Sequence, residues 1–180
     1  MVDVARAQSE VRTAYRSGSV GQIYSGIVGL ASAAAWALST PTVGIVTLLV
    51  GGFFIYPVTS AVSRLFGGAG RIDRGNPLSE LGVTAPIVGP LCMPIAGAAA
   101  LHDINWFYPA FMIVMGAHYL PFSTLYGMRS FIWLGAGMWI TGIAVGWWMP
   151  ESSVMAAGVT GAALVGFGLV VGRGHGRRDA

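Results

Sequence analysis

Apolar residues gather into six long runs: Gln22 to Ser39, Val43 to Ser63, Val83 to His102, Trp106 to Tyr126, Phe131 to Trp148 and Val154 to Val171, each 18 to 21 residues long. A helix of that length covers roughly 27 to 32 Å, which matches a hydrocarbon core of about 30 Å. The pattern predicts an all-α protein, an integral membrane bundle of six transmembrane helices. The remaining sequence forms a tail over residues 1–21, a loop over 64–82 inside the 22–171 membrane domain, and a tail over 172–180. Within the first tail, Val4, Ala7, Val11 and Ala14 recur at spacings of three and four between Arg6, Arg12 and Arg16. That is the signature of a short helix on a membrane surface, with a frayed tail as the alternative. Leu30 to Ser39 is rich in Ala and Ser and mimics a signal-cleavage site, but the long polar segment ahead of it favours a retained first span.

Charge orients the bundle. All ten basic residues are Arg, against seven acids. Arg6, Arg12 and Arg16 precede the first run, Arg64, Arg71 and Arg74 follow the second, Arg129 follows the fourth, and Arg173, Arg177 and Arg178 follow the sixth. With six crossings every Arg falls on one side, while the opposite connections carry Asp103 and Glu151 and no base. The positive-inside rule then places both termini in the cytoplasm (N-in/C-in). The same placement explains the net charge of +3 by orientation and gives no reason to expect a nucleic-acid partner. Trp106, Phe107 and Tyr108 open the fourth run, and Trp147 and Trp148 close the fifth, where an outer aromatic belt belongs.

Composition agrees: 54% of residues are hydrophobic and 9% charged, far from the soluble average of roughly 25% charged. The 27 glycines suit helices that approach closely in lipid. Cys92 is the one cysteine, which excludes an internal disulfide and reads as a small core residue. In the loop, Gly67, Gly68 and Gly70 are not followed by the Lys-Ser/Thr of a nucleotide loop, so a flexible linker is favoured over an anion nest. Asn76 followed by Pro77 reads as the N-cap and first position of the third helix.

Little inside the runs titrates. His118 is the exception, near the middle of the fourth run, and an ionisable group at that depth is a functional-site hypothesis. It shares a helix face with Tyr108, Met112, Met115, Phe122 and Tyr126, and Pro121 frees the carbonyl of Ala117 beside it. Two readings stand: a neutral histidine hydrogen-bonded to a neighbouring helix for packing, or a ligand, ion or proton site. The expected partner is a hydroxyl of the second run, Tyr56 or Ser60. In that run Tyr56, Ser60 and Ser63 form a polar stripe that needs partners. The order Pro57, Val58, Thr59, Ser60, Arg64 parallels Pro121, Phe122, Ser123, Thr124, Arg129, as a duplicated hairpin would. Pro86, Pro90 and Pro94 predict a bent third helix. His102, His118 and His175 fall at different depths, so neither haem nor zinc, and no other cofactor, is expected; a Ser-His-Asp hydrolase lacks its acid.

Gly116-Ala117-His118-Tyr119-Leu120-Pro121 with Leu125-Tyr126, and Asn76-Pro77-Leu78 ahead of Leu81-Gly82, resemble an uncharacterised family of small multi-span bacterial membrane proteins catalogued as a domain of unknown function. The resemblance covers the middle half of the chain. It implies the same fold class and the bacterial cytoplasmic (inner) membrane, and brings no activity. The favoured function is a small transporter or ligand-binding membrane protein whose cavity is lined by His118, Tyr56, Ser60, Tyr119 and Thr124, and which is not an enzyme. One alternative is an accessory subunit whose Gly142–Gly146 and Gly168–Gly172 faces meet a second copy or another member of a membrane complex. Another is a compact intramembrane enzyme using His118 as acid or base.

Overall fold

The computed structural model describes residues 3–176, and of the final helix it describes side chains only as far as Arg173. The tail residues Arg177 and Arg178 and the side chain of His175 lie outside the described residues. Helices and short turns make up the described chain, and no strand occurs among those residues. In order they are α1 (Val4–Ala14), α2 (Ser19–Leu38), α3 (Pro41–Phe53), α4 (Ile55–Leu65), α5 (Ser79–Leu91), α6 (Met93–His102), α7 (Phe107–His118), α8 (Leu120–Tyr126), α9 (Ser130–Trp148) and α10 (Ser153–Gly176).

Every predicted run is helical, but not every run is one helix. Four helical stretches are long and apolar enough to cross a membrane: Arg16–Leu38, Ser79–His102, Ser130–Trp148 and Pro150–Arg173. Pro41–Phe53 and Ile55–Leu65 meet at a bend of 48° and make a fifth if they count as one span. The fourth run is divided at Tyr119 into α7 of 12 residues and α8 of 7, each too short to cross alone. Proline accounts for both divisions. Pro57 and Pro121 lack the N–H that Phe53 and Ala117 would receive, and their rings crowd those carbonyls. The third run tolerates Pro86, Pro90 and Pro94 with only a local interruption at Cys92.

The distribution of side chains is inverted relative to a water-soluble protein. Ser32, Ser63 and Ser153 are fully buried, while Leu101 is 91% exposed, Leu38 87% and Trp133 76%. Large apolar side chains stand outward along the helices and small residues hold them together, as expected where lipid is the solvent.

The chain forms two compact units, one comprising the sequence up to Ser79 together with that from Gly158, the other Glu80–Ala157. In the first, α2 is the hub. A methyl group at Gly26 would sit 2.5 Å from the Gly161 carbonyl of α10, and one at Gly168 would sit 2.8 Å from the Ser19 carbonyl. Ser32 Oγ donates to the Gly44 carbonyl of α3 at 2.8 Å. In the second unit α7 lies against α9 so closely that a methyl at Gly116 would fall 2.6 Å from the Gly135 carbonyl. Gly142 and Gly146 press on Pro109, Ile113 and Trp106, and Gly168 and Gly172 on Ser19 and Ile23. The glycine faces expected to meet a partner protein are therefore occupied within the chain.

The first tail is also more ordered than a frayed end. Asp3 caps α1 by accepting from the Arg6 amide, and Ala7, Val11 and Ala14 are buried while Val4 is half exposed. The apolar stripe is covered by the protein itself. Asn76 Nδ2 donates to the Ala7 carbonyl at 3.1 Å and to Glu10 Oε2 at 2.9 Å, and the Gly70 amide donates to the Ala14 carbonyl. The glycine loop is thus clamped to α1 and is not a free linker. Asn76 Oδ1 accepts from the Leu78 amide at 2.8 Å, forming a turn that leads into α5 at Ser79.

Candidate functional site

The two proline-broken helices, one in each unit, carry most of the polar groups that sequence reasoning singled out. In the second unit the break between α7 and α8 is closed. His118 is buried, and its Nδ1 accepts from the Gly89 amide of α5 at 3.2 Å. An accepting nitrogen bears no proton, so the ring is the neutral tautomer with its hydrogen on Nε2. The partner is a backbone group of the third run and not the second-run hydroxyl expected. Glycine makes this possible: a methyl at position 89 would come within 3.3 Å of His118 Nδ1 and 3.2 Å of Met115 Sδ, so a side chain there would push the donor away.

Aromatic rings fill the rest of that break. Phe122 meets His118 edge-on at 5.1 Å, and Tyr119 lies 5.9 Å from the His118 ring. Phe122 and Tyr126 stack on Phe131 of α9 at 6.1 and 5.3 Å. Ser123 Oγ donates back to the Leu120 carbonyl at 2.7 Å. His118 and Tyr119 are thus brought together, whereas Thr124 is exposed on α8. Tyr56 and Ser60 belong to the other unit.

In that first unit the break between α3 and α4 is furnished differently. Tyr56 is 56% exposed and shares a hydrogen bond with Tyr15, at the end of α1. Burial first, and then the Tyr56 hydroxyl, hold the Tyr15 phenol well above its ordinary pKa of 10.0, against the opposing pull of Arg64. Beyond Tyr56, four side-chain oxygens are buried without any hydrogen-bond partner: Gln22 Oε1 on α2, and Thr59 Oγ1, Ser60 Oγ and Ser63 Oγ on α4. Ser63 is wholly buried and Gln22 is 7% exposed. Each such group costs about 1–3 kcal/mol. In the second unit the unpartnered oxygens among the described residues, Ser130 Oγ and Ser153 Oγ, belong to the first residues of α9 and α10 and not to α7 or α8.

All four oxygens belong to α2 and α4, whose contact forms one seam. Residues 56, 59, 60 and 63 share a face of α4 by helical spacing, and α4 packs on α2. A methyl at Gly21 would touch Thr59 Oγ1 at 3.4 Å, so Thr59 lies against α2 at the residue that precedes Gln22. Below the seam the backbone is strained and tightly held. Arg16 and Ser17 have φ of 49° and 57°, followed by Gly18 at 78°, a left-handed stretch that costs about 1–3 kcal/mol for each non-glycine residue. Arg16 is anchored there, with Nη1 donating to the Phe66 carbonyl at 3.0 Å and its guanidinium 5.4 Å from the centre of the Phe66 ring. The Gly68 amide donates to the Ser63 carbonyl at 2.8 Å. Beside this loop lies a cleft of about 370 Å³ lined in part by Glu10, Thr13, Arg71, Asp73 and Asn76.

Sequence inspection named the stripe of Tyr56, Ser60 and Ser63 and its need of partners, but not Thr59 or Gln22. The signal for Gln22 was available, since it is an amide side chain at the head of an otherwise apolar run.

Together, the all-helical architecture and the inverted burial define a chain built around helices able to cross a membrane. The family match extends this from a fold class to a lineage: the chain belongs to the Family of unknown function (DUF7010), whose model matches residues 4–172. The similarity covers residues 4–172, beyond the middle half that holds the family-like motifs. No curated protein and no solved structure matches the chain.

Proposed function

We propose that the chain is a six-span protein of the bacterial cytoplasmic membrane, with both termini in the cytoplasm, that binds and passes a small polar solute and is not an enzyme. Six spans require both broken helices to count as crossings, which the one-sided placement of the Arg residues supports. The observation that carries the binding role is the α2–α4 seam. A discontinuous helix carrying buried oxygens with no internal partner is the arrangement by which membrane carriers present polar groups to a substrate.

His118 is reassigned from ligand to joint. Its acceptor nitrogen is engaged by the Gly89 amide, which counts against the use of His118 as a base in an intramembrane enzyme. The accessory-subunit reading loses its support because the glycine faces are used internally.

Two measurements test the proposal. Single-cysteine labelling should place residues 64–82 and both tails in the cytoplasm and Asp103 and Glu151 outside; an external C-terminus would sink the six-span topology. Protein reconstituted in vesicles should make them permeable to at least one small polar solute, scored by light scattering for neutral solutes and by fluorescent indicators for ions. Ser63→Leu, which fills the seam, should abolish that permeability. Vesicles as tight as protein-free controls across the whole panel would overturn the transport role.

A further inference from the structure

We infer that the α2–α4 seam is a binding site for a monovalent metal cation, Na+ or K+, held by the neutral oxygens Gln22 Oε1, Thr59 Oγ1, Ser60 Oγ and Ser63 Oγ. The inference rests on the binding role proposed above and adds the identity of the ligand. All four unpartnered atoms are oxygens; the three hydroxyls can donate or accept, but Gln22 Oε1 can only accept, so a ligand that satisfies all four must offer it positive charge or a donor. The three hydroxyls lie within about 6 Å along α4, and Gly21, the residue before Gln22, lies against Thr59 Oγ1.

The charge of the ligand follows from what lines the seam. No acid occurs on α2, α3 or α4, and no group of three or more His, Cys, Asp and Glu side chains gathers among the described residues. A divalent ion normally takes carboxylates, so neutral oxygens alone fit a singly charged, weakly demanding cation. An anion fits less well, because the Gln22 oxygen can only accept. Two helices, α1 and α4, also bring their carbonyl ends to this region: a methyl at Gly68 would lie within 3.3 Å of the Thr13, Ala14 and Ser63 carbonyl oxygens. Helix C-termini favour positive charge. Of the guanidiniums at this end, Arg12 lies in the last turn of α1, Arg16 is tied to Phe66, and Arg64 is solvent-exposed, which screens part of its repulsion.

The test uses the full chain purified in detergent, with thermal unfolding followed in NaCl, KCl and choline chloride at equal ionic strength. At least one alkali salt should raise Tm by about 4 °C or more over choline, saturably, as binding to the folded state requires. Ser63→Ala and Gln22→Leu should remove that increment, and Thr47→Val, on the neighbouring α3 with its hydroxyl bonded to Val43, should keep it. Gln22→Glu adds a carboxylate and should lower the half-saturating salt concentration several-fold, which keeps the test open should a truncating variant fail to fold. Equal Tm in all three salts, or an increment that survives both Ser63→Ala and Gln22→Leu, would overturn the inference and leave water as the occupant of the seam. Failure here is separable from failure of the transport role. A cation-blind protein that still passes a neutral solute defeats only the cation site, and a cation-binding protein in tight vesicles defeats only transport.

Discussion

The breaks at Phe54 and Tyr119 arise from closely similar sequence, yet one is finished as a joint and the other is left open. A proline follows each break within three residues, then an apolar residue and two hydroxyl residues: Pro57, Val58, Thr59 and Ser60, and Pro121, Phe122, Ser123 and Thr124. At the second break Phe122 is large enough to stack on Phe131, Ser123 returns its hydroxyl to Leu120, and His118 takes the Gly89 amide. At the first, Val58 contributes no ring, and Thr59 and Ser60 keep their hydroxyls without partners against α2. A proline break only frees backbone and bends the helix. Whether it becomes a packed hinge or a seat for a ligand is decided by which side chains surround it.

The largest effect expected is at the closed joint. His118→Ala deletes a buried ring and strands the Gly89 amide, lowering stability in detergent by about 3 kcal/mol. His118→Gln, which keeps an acceptor, should recover part of the loss. An unchanged Tm in His118→Ala would show that the ring is not a joint.

Next is Gly116→Ala, whose methyl would fall 2.6 Å from the Gly135 carbonyl. Backbone cannot yield as a side chain can, so α7 and α9 must part, at a cost of about 1–3 kcal/mol. Unfolding in detergent measures this, and the same substitution at Gly137, with open space around it, should be neutral.

The open break should respond with the opposite sign. Removing an unpartnered hydroxyl by Ser63→Ala or Thr59→Val, measured in choline chloride, should leave stability unchanged or raise it by about 1 kcal/mol. A loss of the size seen at His118 would mean that these oxygens do have partners and that the contrast between the breaks is false.

The smallest effect concerns Tyr15 and appears only in alkali. Its phenol pKa is raised in the folded protein, so the folded state disfavours the phenolate. Its share of stability is complete below the unfolded value of 10.0 and declines as pH rises above it. Tyr15→Phe should flatten that alkaline decline while leaving Tm near pH 7 within about 1 °C beyond the loss of one hydrogen bond. An identical alkaline slope in wild type and Tyr15→Phe would assign the decline to another group.

Some of this was written in local pattern. The length and apolarity of the runs specify helices of membrane-crossing size, because a bilayer sets one length for every crossing. The prolines mark where those helices yield, and the spacing of Ala7, Val11 and Ala14 marks the buried face of α1, since helical periodicity is a property of neighbouring residues. The place of His118 near the middle of an apolar run and the isolation of Ser60 and Ser63 as polar groups were equally legible. Their partners were not. His118 is satisfied by a backbone amide 29 residues away, reachable only because position 89 lacks a side chain. The stripe was expected to line a cavity with His118; Tyr56 is joined to Tyr15, and the side-chain oxygens of Thr59, Ser60, Ser63 and Gln22 have no partner. Which donor finds which acceptor depends on how helices distant in sequence come to lie against one another. Hydropathy is the same whichever neighbour a helix has, so only the tertiary structure could separate the closed break from the open one.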